Sequence, residues 1–159
     1  MGIVSLNIKE QEAAEEVWAL QHPAYRVEAA LIGVADLPPL QDTVKSLQTC
    51  GETFWGYRDD DSGELVGAVS YEREREGERR YTICRLMVHP DFMRRGIGRL
   101  MMEHILSDTP NSAAWTVTAE IRNLPAIILY ERFGFMRSET FEPIPGITML
   151  RLERAPNRE

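Results

Sequence analysis

The sequence predicts an α+β fold, a mixed and mostly antiparallel sheet of about six or seven strands flanked by helices. Three observations point there. The apolar pattern reads strand, two or three helices, three strands, helix, strand, helix and a final hairpin, so strands cluster instead of alternating with helices as in a doubly wound sheet. Clusters of turn-forming residues, "DDDSG" at 59–63 and Pro143 to Gly146, separate apolar runs as hairpin turns do. Only the helical segments around 97–106 and 123–133 stand where a crossover between parallel neighbours is required.

"IVSLNI" at 3–8 alternates like a short strand. "EQEAAEEVWAL" then places Ala13, Ala14, Val17, Trp18 and Gln21 at helical spacing, with acidic residues in the first turns where the helix dipole favours them. Pro23 is expected to stop this helix. "AYRVEAALIG" reads as a second short one closed by Gly33, and "LPPLQDTVKSLQTCG" as a third with Leu40, Val44 and Leu47 on one face. "TFWGYRDDDSGELVGAVSYERE" is a hairpin, and "RRYTICRLMV" a further strand reached through the polar turn "EREGE". After the loop "HPDFMR", Ile97, Leu100, Met101 and Ile105 recur as one helix face. "AAWTVTAEI" is a strand, "NLPAIILYERFG" a helix ending at a glycine, and "FMRSETFEPIPGITMLRLE" the last hairpin.

A chain of 159 residues suits one domain, 1–159, without repeats or linkers. Eighteen basic against 25 acidic side chains give a formal charge of −7, which repels nucleic acid and anionic membrane and argues against both as partners. Cys50 and Cys84 lack CxxC spacing and read as reduced thiols. The first residues lack a signal-peptide pattern, and no apolar run is long enough to span a bilayer, so a cytoplasmic location is expected. His22 and His89 precede prolines and His104 sits among apolar residues, so no metal site is expected.

The densest chemical signal is "HPDFMRRGIGRLMMEHIL", where two glycines and Arg94, Arg95 and Arg99 stand at the start of a helix. The first amides of a helix have no internal partner and carry the positive end of its dipole. Gly96 and Gly98 would let a ligand approach the backbone, and the arginines add charge. That is a phosphate site, though a merely solvated helix start has the same composition. A Walker A loop is excluded because Arg99 and Leu100 follow Gly98, and a dinucleotide turn because Met101 stands where its third small residue belongs.

The pattern "V-H-P-D-F-M-R-R-G-I-G-R" after a strand, followed by "N-L-P-A-I-I-L-Y-E-R-F-G-F", resembles the acetyl-coenzyme A signatures of the GNAT N-acetyltransferase superfamily, and the element order agrees over nearly the whole chain. The loop departs at one position: where the family commonly has Gln or Arg three residues before the first glycine, this chain has Met93, with Arg94 and Arg95 keeping the charge.

The resemblance implies an N-acetyltransferase that moves acetyl from acetyl-CoA to a primary amine of a small molecule or protein, by direct attack and without a metal. It assigns Arg94, Arg95, Gly96, Ile97, Gly98 and Arg99 to the diphosphate, and Leu86, Met87 and Val88 to the thioester and pantetheine arm through backbone groups. Asn123, also a good N-cap, would lie near the pantetheine, and Tyr130 would give a proton to the departing thiolate as well as contact the cofactor. The amine must lose a proton. The fourth strand offers only Ile83, Cys84 and Arg85 at the usual place, so Glu72 and Glu120 are the candidate bases, with relay of the proton through water as the alternative. Residues 17–50 and 141–148, among them Trp18, Tyr25, Phe141 and Pro143, would frame the acceptor. A homodimer stays open. A non-catalytic acyl-CoA sensor on the same fold is the alternative, and an enzyme of some other nucleotide phosphate a third reading.

Overall fold

A computed structural model of the chain describes residues 2–75 and 79–156. The described elements are β1 (Ile3–Leu6), α1 (Gln11–Ile32), a 3₁₀ turn (Pro38–Gln41), α2 (Val44–Gln48), β2 (Thr53–Arg58), β3 (Leu65–Arg73), β4 (Arg80–Val88), a second 3₁₀ turn (Pro90–Phe92), α3 (Ile97–Asp108), β5 (Ala114–Glu120), α4 (Leu124–Arg132), β6 (Met136–Ile144) and β7 (Ile147–Arg154). Seven strands form one open sheet in the order β1-β2-β3-β4-β5-β7-β6. Every pairing is antiparallel except β4 with β5. The "EREGE" turn falls partly outside the described residues.

Each face of the sheet carries its own apolar core. On one, Ile97, Met101, Met102 and Ile105 of α3 and Ile127 and Tyr130 of α4 pack on Val66, Trp115, Val117 and Leu152. On the other, Ala14, Val17, Leu20, Ala24 and Tyr25 of α1 and Leu47 of α2 pack on Phe54, Leu65, Ala68 and Met87. The result is a helix–sheet–helix sandwich. Gly67 of β3 sets how closely α3 can approach, because a Cβ there would stand 2.9 Å from Ile97 Cγ2 and 3.1 Å from Met101 Cε.

Four expectations are corrected. Pro23 does not stop the first helix: α1 runs unbroken for 22 residues. Proline's fixed φ is already helical, so its cost is a lost hydrogen bond and ring crowding, about 3 kcal/mol. The stripe Leu20, Gln21, Ala24, Tyr25, Ala29 and Ile32 is buried on both sides of Pro23, and that packing outweighs the cost. The third helix is in fact a 3₁₀ turn and a short α2, divided where Thr43 takes an extended conformation and forms a reciprocal capping box with Ser46. Leu100 points outward at 42% exposure, and Met102 fills its place in the core. Finally, α4 joins two strands of like direction that are not neighbours, because β7 lies between β5 and β6.

The sheet opens at its centre. β4 and β5 pair only at Arg80–Thr82 with Ala114–Thr116, and beyond Thr82 they diverge. A bulge assists: Ser70 faces Arg85 and Tyr71 faces Ile83, so Cys84 is an extra residue that bends β4 as it leaves β5.

Candidate active site

The wedge between the diverging strands widens into a cleft of about 820 Å³. Ile83, Cys84, Arg85 and Leu86 of β4 form one wall and Val117 to Glu120 of β5 the other. Tyr25, Glu28 and Ile32 of α1 and residues 33–39 close one side, with Tyr130 and the hairpin residues Phe141 and 143–147 opposite. Tyr25, Phe141 and Pro143 thus line the cleft. Trp18 does not line the cleft, and its indole N–H donates to Asp42 O at 3.0 Å.

The start of α3 is built for an anion. Gly96 takes a left-handed conformation, φ 78°, as the cap, and Arg94 is also left-handed at φ 64°. A left-handed residue leading into a right-handed helix turns successive amides toward one point. Among the described residues, no amide from Arg94 to Arg99 donates within the chain, and the next in line, Leu100 N, bonds Gly96 O at 3.0 Å. Nothing lies within 4 Å of a Cβ placed on Gly96, so the cradle is open. Arg94, Arg95 and Arg99 are exposed around it. Arg95 stacks on Phe92 and Arg99 pairs with Glu103. Ile97 has its side chain in the core, so it can offer only its amide. Residues 94–99 therefore fit a diphosphate by geometry and by charge.

Of the three strand residues singled out, Leu86 alone lines the cleft; Met87 is core on the α1 side and Val88 is half-buried against the α3 side. Their backbone pairs with β3 on one edge and has no strand partner on the edge facing β5. Asn123 caps α4 with its Oδ1 toward Ala126 N at 3.4 Å, while its Nδ2 donates to Glu28 Oε1 at 2.5 Å. Tyr130 is buried at the cleft wall. Burial, and secondarily the charge of Glu28, push its phenol well above the ordinary range, so it stays protonated at neutral pH.

The two carboxylates named as bases are placed very differently. Glu72 is exposed on β3 opposite Thr82 and does not line the cleft. Glu120 is 5% exposed at the end of β5 and does line it. Its Oε1 accepts from Arg122 N (2.8 Å) and Nε (3.0 Å), and its Oε2 from Arg122 Nη2 (2.8 Å) and Thr148 N (3.0 Å). These bonds, the Arg122 side chain foremost, hold its carboxyl at about 2. Cys84, one of the two thiols read as reduced, lines the cleft. Burial pushes its thiol up to about 12, which keeps it from acting as a nucleophile.

Two cleft residues were not anticipated. Arg85 bonds Gln21 Oε1 (2.7 Å), Asp42 Oδ2 (2.5 Å) and Glu52 Oε1 (3.0 Å), fastening β4 to α1 and the segment after it. Glu28, partly buried on α1, has no cationic partner among the described residues. Burial raises its pKa most, the Asn123 bond opposes this, and the charge of Glu120 adds to it. A sequence signal for Glu28 existed: it continues the 21, 25, 28, 32 stripe that α1 buries.

An open seven-stranded sheet whose parallel pair, β4 with β5, is wedged apart beside a glycine-capped helix start is the architecture of an acetyltransferase fold. The chain belongs to the acetyltransferase (GNAT) family, whose model matches residues 12–135. Over 97% of its length it is 37% identical to UPF0157 protein YqkA of Bacillus subtilis, but it spans only 43% of that protein. It is 41% identical over 56 residues to the [Ribosomal protein bS18]-alanine N-acetyltransferase of Salmonella typhimurium, covering 34% of this chain and 38% of that one. The crystal structure of the ribosomal-protein-S18-alanine N-acetyltransferase from Escherichia coli has the same fold, with a TM-score of 0.75 over 99% of this chain and 94% of that one at 17% identity.

Proposed function

We propose that the chain transfers acetyl from acetyl-CoA to a primary amine of a small molecule or protein, in the cytoplasm and by direct attack. One observation carries the reading: β4, whose residues Ile83 to Leu86 wall the cleft that Tyr130 lines, runs on past Val88 into the helix start whose amides from Arg94 to Arg99 are open. When bound, acetyl-CoA supplies an activated acetyl thioester. The helix start and Arg94, Arg95 and Arg99 hold its diphosphate, and the unpaired edge of β4 at Leu86 to Val88 meets the pantetheine arm. A backbone amide there stabilises negative charge on the carbonyl oxygen, a contribution of about 3 kcal/mol in enzymes that use one. Tyr130, neutral and at the wall, gives its proton to the departing sulfur. Glu120 serves the site by anchoring Arg122 and the start of β7, not as the base, since a carboxyl held at about 2 is a poor proton acceptor.

Two measurements test this. Acetyl-CoA at about 100 times its dissociation constant should raise stability by about 2.7 kcal/mol, and ATP should not. Tyr130→Phe should lower thiol release with an amine acceptor about 100-fold while the acetyl-CoA dissociation constant stays within twofold. Stabilisation by ATP in place of acetyl-CoA refutes the ligand. Unchanged turnover in Tyr130→Phe refutes the proton donor, and acetyl-CoA binding with no turnover of any amine identifies a sensor.

A further inference from the structure

Glu28 is the unexplained group in the cleft. Three carboxylates line it: Glu28, Asp36 and Glu120. Glu120 is saturated by Arg122 and Thr148 N. Asp36 is exposed at the mouth, where it accepts from Leu37 N at 2.9 Å and Gln41 Nε2 at 2.8 Å. The cleft's two arginines are neutralised internally, Arg85 by Asp42 and Glu52 and Arg122 by Glu120. What remains inside is one carboxylate, Glu28, without a counter-ion among the described residues. A buried charge left alone is costly unless a partner arrives.

We propose that Glu28 seats the acceptor's ammonium group and takes its proton, and that the acceptor is a singly charged primary amine on an apolar body. The proposal rests on the acetyl-transfer reading and names its missing base. The cavity wall supports the acceptor class, since Leu37, Pro39, Phe141, Pro143 and Ile144 offer apolar contact and, among the described residues, the other carboxylates are either paired, as Glu120 is, or exposed, as Asp36 is. Asn123 holds Glu28 by the 2.5 Å bond to Oε1, leaving Oε2 with no partner among the described residues. The groups that act on Glu28 are Tyr25 on its own helix, Asn123 and Tyr130 at α4 and Glu120 at the end of β5, while Arg85 and Glu52 reach Tyr25 from the β4 side. Burial, the leading influence, and the charge of Glu120 both favour the protonated form, so Glu28 is a stronger base than an exposed carboxylate.

The chemistry balances. The ammonium nitrogen passes one proton to Glu28, and its freed lone pair attacks the acetyl carbonyl carbon. The C–N bond forms and the C–S bond breaks. Tyr130 protonates the leaving sulfur and is itself reprotonated by the second proton that nitrogen loses, while Glu28 returns its proton to solvent.

The test compares two probes of similar shape: phenethylamine, protonated at neutral pH, and O-benzylhydroxylamine, neutral there. In Glu28→Gln, kcat/KM for phenethylamine should fall at least 100-fold, that for O-benzylhydroxylamine less than 10-fold, and the acidic limb of the wild-type phenethylamine profile should disappear. Glu28→Asp should recover part of the phenethylamine rate, which guards against loss through misfolding. Equal losses for the two probes would make Glu28 merely structural, and no loss for either would remove it from the reaction. If the wild type binds acetyl-CoA but acetylates neither probe, the seat and the acceptor class fail while the acetyl-CoA reading stands. If it does not bind acetyl-CoA, the acetyl-transfer reading fails first.

Discussion

Replacing Glu120 with glutamine separates an anchor from a base. Glu120 is almost wholly buried and receives four hydrogen bonds, three of them from Arg122 and one from Thr148 N. Its carboxyl titrates at about 2 in the folded protein against an ordinary 4.5. That difference corresponds to roughly 3 kcal/mol at neutral pH, and because Arg122 is 45% exposed, solvent screening brings the expected cost of Glu120→Gln to about 2 to 3 kcal/mol. The sign follows from the lowered folded value. The stabilisation is present above the unfolded value of 4.5, declines as pH falls from there toward 2, and is gone below it. Urea titrations of wild type and variant at pH 7, 5 and 3 measure the difference directly. It should be nearly the same at pH 7 and 5 and fall to about 1 kcal/mol at pH 3. A difference below about 0.5 kcal/mol at pH 7, or one that does not shrink at pH 3, would refute the claim that the charge of Glu120 is what holds the end of β5 to the start of β7.

Two further outcomes probe the frame around the cleft. Gly67→Ala places a methyl against Ile97 Cγ2 and Met101 Cε, so it should cost about 1 to 3 kcal/mol by thermal melting and weaken acetyl-CoA binding through displacement of α3; a neutral substitution would show that the helix is not seated by this contact. Arg85→Met leaves Asp42 and Glu52 without their cation, and the expected loss is about 3 to 5 kcal/mol in urea titration, most of it recovered when Glu52→Gln and Asp42→Asn are added.

How far the sequence could be read depended on how local each signal was. The sheet class, the two hairpins and the helix start at Gly96 rest on contiguous runs whose periodicity and turn chemistry are self-contained. The parallel pairing of β4 with β5 followed from a single crossover. Its early end at Thr82 did not, because the bulge at Cys84 exists only relative to β3. The order β5-β7-β6 was likewise hidden, since it depends on a hairpin inserting beside β5 instead of following α4 in simple succession.

The candidate site shows the same division more sharply. Residues 94–99, Asn123 and Tyr130 stand in contiguous patterns and could be named one by one. Glu28 and Arg85 could not, because their meaning is relational: Arg85 matters through Gln21, Asp42 and Glu52, and Glu28 through Asn123, 95 residues away. The reading of Pro23 as a stop compounded this. Two short helices on either side of it would have unrelated faces, whereas one continuous α1 carries Gln21, Tyr25, Glu28 and Ile32 along a single inward stripe. A polar residue on that stripe must find a partner or a purpose. Gln21 finds Pro39 O and Arg85, while Glu28 finds an amide and the open cleft. The helix that tolerates a proline to stay whole therefore also decides which carboxylate reaches the cleft, and a variant that breaks α1 at Pro23 should lose the Glu28-dependent pH response before it loses acetyl-CoA.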